Sequence, residues 1–254
     1  IEAHRKNGVV SNNIIVGFRN GVLIVPGQFT ETSDQARISI TDNIMYSVLI
    51  GVTLWPVSER DLDNVRIHSN SIELDPARYS ALFTVQASKG ICILDKLAGN
   101  NGGKKVKNII ITDNEIVFKT FTVTYSDSAY VLNFVGIGLR TYVSIENIKV
   151  SDNHVIKAPG TGILIGVAND ATYQNTATSL TVEDNTIIDA GANTNIATQS
   201  FNPRTPIRVN GGNSINVVRT IVKNNRIIDT NVGFDSFTSP LYTAAVDSAR
   251  CIIS

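Results

Sequence analysis

The sequence predicts an all-β chain wound as a right-handed parallel β-helix of about seven coils, with three sheets and an asparagine ladder at one corner. Three observations predict it. Isoleucine outnumbers leucine 32 to 13, and β-branched side chains, stiff at χ1, suit a pleated surface. A short unit centred on asparagine recurs seven times. A third apolar segment, usually introduced by Gly or another turn residue, completes each unit.

The first strand of each unit leads into its asparagine, at Asn13, Asn43, Asn70, Asn114, Asn153, Asn185 and Asn225. Three residues earlier stand Val10, Ile40, Ile67, Ile111, Val150, Val182 and Val222. Five residues earlier, Ile38, Val65, Ile109, Ile148 and Leu180 continue the alternation, whereas Gly8 and Thr220 do not. Period two with one apolar face is a half-buried strand. The asparagine then makes a corner, because a short amide side chain tolerates left-handed geometry and hydrogen-bonds nearby backbone. A second strand follows at once and carries Ile15, Met45, Ile72, Ile116, Val155, Ile187 and Ile227 two residues after the asparagine. The third strand is assigned to residues 21–25, 47–52, 80–85, 129–135, 162–167, 206–209 and 241–246.

Successive asparagines are 30, 27, 44, 39, 32 and 40 residues apart. A constant corner with variable connections is what stacked coils permit. At one strand spacing per coil the stack is roughly 30–35 Å long, and the chirality of parallel crossovers makes it right-handed. Leucine-rich repeats share the offsets, but their units are shorter, at about 20–29 residues, and richer in leucine. The hexapeptide coils of a left-handed β-helix do not fit these spacings. One domain over residues 1–254 is expected, and it reads as a piece of a longer chain, entered mid-coil at 8–15. Inserts at 87–107 and 190–205 lengthen their coils and are candidates for groove walls.

Twenty-two basic residues balance twenty-two acidic ones, so no overall field favours nucleic acid or an anionic membrane. No apolar run reaches the ~20 residues that span a bilayer. Cys92 and Cys251, and His4, His68 and His154, lack metal-ligand spacing, and neither metal nor cofactor is expected. Asp42, Asp113, Asp152 and Asp184 precede four of the asparagines, but Asn12, Ser69 and Asn224 precede the others. A carboxylate array for Ca²⁺ would need the acid in each coil. What persists is the amide, which reads as a ladder of mutually satisfied side chains.

Corners such as "IKVSDNHVI" (148–156) with strands such as "GILI" (162–165) resemble the right-handed parallel β-helix of the pectate-lyase-like superfamily, most of all bacteriophage tailspikes and polysaccharide depolymerases. The resemblance covers the whole chain. It implies a homotrimer on a virion tail that binds and cleaves a bacterial surface polysaccharide, as a glycoside hydrolase or a polysaccharide lyase. Two alternatives stand beside it: a non-catalytic structural or receptor-binding rod, and a secreted polysaccharide lyase or epimerase. Leu23, Val25 and Leu164 are expected to face outward and be available for subunit packing.

Sites in that family lie along the flank of the Gly-introduced sheet. Hydrolysis needs two carboxyl groups about 5–10 Å apart, and elimination needs a base with a cation beside it. Residues 74–80, "LDPARYS", supply Asp75, Arg78 and Tyr79, and 124–130, "TYSDSAY", supply Tyr125, Asp127 and Tyr130 from the next coil. Asp75 and Asp127 are therefore the expected catalytic pair, with Arg78, Tyr79, Tyr125 and Tyr130 binding substrate. Beyond the strand, Glu59, Arg60, Arg140 and Asp170 make a second line, from which Arg140 and Asp170 join the substrate-binding set. The competing roles are structural: a turn acid at Asp75, a loop cap at Asp127 and an ion pair at Arg78.

Overall fold

A computed structural model describes residues 1–3, 7–25, 37–55, 61–80, 87–93, 105–119, 133–167, 175–191, 206–210, 217–228, 230, 241–244 and 252–253. The chain is a right-handed parallel β-helix. Each turn passes through a strand of sheet B, the asparagine corner, a strand of sheet C and a strand of sheet A. Sheet A stacks Glu2–Ala3, Asn20–Ile24, Ile50–Leu54, Ser88–Ile93, Phe134–Thr141, Thr161–Val167, Ile207–Asn210 and Leu241–Ala244. Sheet B stacks Asn7–Ser11, Arg37–Thr41, Leu62–His68, Lys105–Thr112, Ser144–Ser151, Ala177–Glu183, Ile221–Lys223 and Ile252–Ile253, with Val217–Val218 also paired to Ala177–Glu183. Sheet C stacks Ile14–Val16, Ile44–Val48, Ser71–Leu74, Glu115–Phe118, His154–Ile156, Thr186–Ile188 and Arg226–Ile228.

The core is the inside of the coil. The apolar residues three before and two after each asparagine belong to one contiguous cluster, with Ile227 partly buried at its margin. Because the strands are parallel and in register, like residues stack on like: Ile40 on Ile67, Ile67 on Ile111, Ile111 on Val150. Such columns bury branched side chains without gaps.

The asparagine column is a continuous hydrogen-bonded ladder. The Oδ1 of Asn70 accepts from the backbone N and Nδ2 of Asn43 at 3.1 and 2.9 Å, and the pattern repeats from Asn13 to Asn225. Each Nδ2 also donates to backbone carbonyls of its own coil and, from Asn43 onward, of the coil before. One expectation is corrected. The left-handed residue is the one before the asparagine, at Asn12, Asp42, Ser69, Asp113, Asp152, Asp184 and Asn224, with φ between 54° and 58°. Asp, Asn and Ser all carry the short polar side chain that relieves this conformation locally, so the position tolerates exchange among them. The asparagine itself is fixed by its buried hydrogen bonds.

A second column marks the turn from sheet C into sheet A. Gly21, Gly51, Gly90, Gly136 and Gly162 lead into the inward residues of successive sheet A strands. A Cβ at Gly51 would stand 2.5 Å from the Gly90 carbonyl oxygen and 2.6 Å from Ile72 Cγ2. This column corrects two third-strand assignments. In the third coil the sheet A strand is Ser88–Ile93, and of 80–85 residue 80 ends a helical turn while 81–85 lie outside the described residues; in the fourth it is Phe134–Thr141, reaching well beyond 135, with 129–132 outside the described residues. The proposed insert at 87–107 therefore begins and ends in strands, leaving 94–104 outside the described residues. Of 190–205, residues 192–205 lie outside them.

The outer face of sheet A differs from expectation too. Leu23, Thr53, Cys92, Gly138, Leu164 and Arg208 form one outward row in register. Leu164 and Val25 nevertheless expose only 2% and 1% of their surface, and Leu23 is half-buried. Leu164 and Val25 are therefore covered within the chain and not free for subunit packing, whereas Leu23 keeps part of its surface open. Exposed apolar residues stand instead on sheets B and C, at Val9, Ile14, Val16, Ile44 and Tyr46, with Phe18 just beyond.

Candidate functional site

The residues around Asp75 assemble where sheet C turns towards sheet A. The Asp75 backbone N donates to Val48 O at 2.9 Å, extending the pairing of Ser71–Leu74 with Ile44–Val48 by one residue. Pro76 then starts the helical turn Pro76–Ser80, its fixed φ suiting a first helical position. Asp75 caps this turn: its Oδ1 accepts from the Arg78 backbone N at 3.1 Å. The other oxygen, Oδ2, pairs with Lys119 Nζ at 3.2 Å.

Lys119 comes from the next coil and ties three coils together. Its Nζ lies 3.0 Å from Glu73 Oε1 as well as 3.2 Å from Asp75 Oδ2, and it donates to Ser47 Oγ at 3.2 Å. The hydrogen bond to Glu73, with a smaller one to Asp75, raises the lysine pKa above its usual value, so it remains an ammonium. The register of sheet C shifts between Met45 and Val48, a bulge that places Ser47 at φ 51°. Bulges re-aim side chains beside sites. This one presents Tyr46, 47% exposed, next to the Ser47–Lys119 contact.

Tyr79 is buried, and its hydroxyl donates to Ser47 O at 3.1 Å. Burial pushes its pKa up, opposed by the positive charge of Arg78. Tyr79 therefore braces the turn. Arg78 is exposed and reaches back to the first coil, where its guanidinium lies over Gly17: a Cβ there would stand 2.8 Å from Nη2. Gly17 adopts φ +73° and donates to Tyr46 O at 2.9 Å. Phe18, the next residue, is 62% exposed. Two carboxylates and two cations are thus brought together, with the exposed Tyr46 and Phe18 next in the chain to Ser47 and Gly17, which Lys119 and Arg78 reach.

Of the expected site residues, Asp75, Arg78 and Tyr79 come together here. Arg140 does not. It sits near the departing end of the sheet A strand Phe134–Thr141, opposite Gly166 of the next coil, whereas Asp75 precedes that sheet. The width of the sheet, about 20 Å at 3.3 Å per residue, separates the two positions. Asp127, Tyr125, Tyr130 and Asp170, with Glu59 and Arg60, lie outside the described residues. Sequence reasoning missed Glu73, Lys119, Ser47, Tyr46 and Phe18. A signal was present: Asp75 and Lys119 both stand five residues after their asparagines, Asn70 and Asn114, so stacking sets opposite charges side by side. No family model, curated protein or solved structure matches the chain.

Proposed function

We propose that the chain is the β-helical segment of a tailspike-like protein that holds a bacterial surface polysaccharide on the face between sheets C and A. The observation that supports this is the cluster of Glu73, Asp75, Lys119 and Arg78, whose Lys119 and Arg78 reach Ser47 and Gly17, the chain neighbours of the exposed Tyr46 and Phe18. Carboxylates accept from sugar hydroxyls, the ammonium and guanidinium donate to them, and aromatic rings cover the apolar face of a pyranose. The charges balance, which suits uncharged sugar units. Cleavage, where it accompanies binding, falls to Asp75 with a second carboxylate, either Glu73 beside it or Asp127. The location on this reading is a virion tail, with a secreted protein as the alternative.

The test is a panel of capsular and lipopolysaccharide glycans titrated against the chain. Binding by at least one is expected, with Tyr46→Ala weakening it about tenfold, equivalent to ~1.4 kcal/mol. An unchanged Kd in a folded Tyr46→Ala protein, or no binding to any glycan, would sink the proposal. Reducing ends released on incubation identify a hydrolase or lyase, and the ultraviolet absorbance of an unsaturated uronate separates the lyase. Binding without cleavage leaves the non-catalytic rod.

A second reading has its own support. Ile14 and Ile44 stack in register, as do Val16 and Tyr46, and Ile14 and Val16 are 74% and 55% exposed. Such a face suits packing of copies side by side, as in a homotrimer. Light scattering should then report three chains per particle, and Ile14→Asp should return it to one.

A further inference from the structure

Sheet B carries a feature that the glycan face does not use. Four of its strands run for seven or eight described residues: Leu62–His68, Lys105–Thr112, Ser144–Ser151 and Ala177–Glu183. Those longer strands bend at left-handed residues Asn64, Asn108, Asn147 and Ser179. An open groove of about 510 Å³ lies across the strands of the first three coils, and its lining includes Asn7, Val9, Arg37, Ser39, Asn64 and Arg66.

Among the described residues, the charges at this groove are not balanced. Ser39 pairs in register with Arg66, and Arg37 lies two residues before Ser39 on the same outward side. The two arginines are thus diagonal neighbours, roughly 8 Å apart at their Cα atoms from strand spacing and rise. Both are exposed, and neither forms an ion pair or a side-chain hydrogen bond among the described residues. The lysines farther along sheet B contrast with them. Lys105 pairs with Glu146, Lys107 with Asp61 and Asp63, and Lys149 and Lys223 both with Glu183. Asp63 on Arg66's own strand and Asp61 just before it are thereby committed elsewhere, Asp63 also accepting from Asn108 at 2.7 Å.

We propose that this groove is an oxyanion subsite for an acidic saccharide. Arg37 and Arg66 hold a carboxylate, phosphate or sulfate, a geometry for which guanidinium forks are suited. Asn7, Asn64 and Ser39 exchange hydrogen bonds with ring hydroxyls, and Val9, 69% exposed, meets the apolar face of the sugar. No aromatic side chain lines the groove among the described residues, so a nucleobase would find no stacking surface. The subsite lies on a different sheet from the Tyr46 face and stands independently of it.

Calorimetric titration of the intact chain with an oligo-uronate, its neutral methyl ester, phosphorylated and sulfated saccharides of equal length, and inorganic phosphate tests this. The acidic saccharides should bind, weaken with added salt, and exceed the ester at least tenfold. The preferred member of the series identifies the oxyanion. Arg37→Gln and Arg66→Gln should each cost about tenfold in Kd, while Tyr46→Ala leaves this binding unchanged. The proposal is overturned if the ester binds as well as the acid, if the double variant with an unchanged melting temperature retains full affinity, or if no acidic saccharide binds. Inorganic phosphate binding as tightly as the saccharides would overturn the sugar assignment. The ester comparison needs no variant, so a folding defect could not leave the result open.

Discussion

Asn153 shows what a single rung does. Its Oδ1 accepts from the backbone N and Nδ2 of Asn114 at 3.1 and 2.9 Å, and its own Nδ2 donates to Ile111 O, Ser151 O and Asn185 Oδ1. The side chain is fully buried. Alanine there would strand donors on Asn114 and two backbone carbonyls away from water. Each stranded group is costly, so Asn153→Ala should lower stability by roughly 1–3 kcal/mol, measured by denaturant unfolding. Glycan affinity in the folded fraction should not change, because the rung is remote from both proposed binding faces. The amide's role was legible in the sequence because it never varies across the copies. Which residue takes the left-handed conformation was not, since Asp, Asn and Ser satisfy the position equally and leave no single letter to read.

At the scale of the strand, the glycine column decides where sheet A begins. A Cβ at Gly90 would lie 2.5 Å from both the Gly136 carbonyl oxygen and Ile116 Cγ2. Neither can retreat, one being ladder backbone and the other core. Gly90→Ala should therefore cost about 1–3 kcal/mol as an overpacked site, whereas Gly138→Ala, with nothing closer than 3.6 Å to its Cβ, should be nearly neutral. Comparing the two midpoints checks this, and equal losses would refute it. The same column explains the misplaced third strands. Apolar content alone favoured 80–85 and 129–135, but the pattern Gly, Ile or Val, any residue, Ile or Leu recurs in "GVLI", "GVTL", "GICI", "GIGL" and "GILI". Sheets B and C were legible because an invariant residue fixes their register. The candidate site was legible only in part, because Glu73 and Lys119 are brought to Asp75 by stacking between coils, which spacing within one coil does not reveal.

Across the whole molecule, strand pairing joins each coil only to the coils before and after it, so stability accumulates largely from neighbour to neighbour. The ladder makes this directional. Every asparagine from Asn43 to Asn225 accepts from the one before it, and Asn13, half-buried in the first coil, donates to Asn43 with no described coil donating to it. Replacing Asn114 removes an acceptor from Asn70 and donors to Ile67 O, Thr112 O and Asn153. Replacing Asn13 removes only its own donors, to Ser11 O and Asn43, beside solvent that can take their place. Asn13→Ala should therefore destabilise by less than half as much as Asn114→Ala, a difference of a few degrees in melting temperature at roughly 2–4 °C per kcal/mol for a chain of this size. Equal losses at the two positions would mean that the column acts through helix-wide cooperativity and not through the rungs themselves.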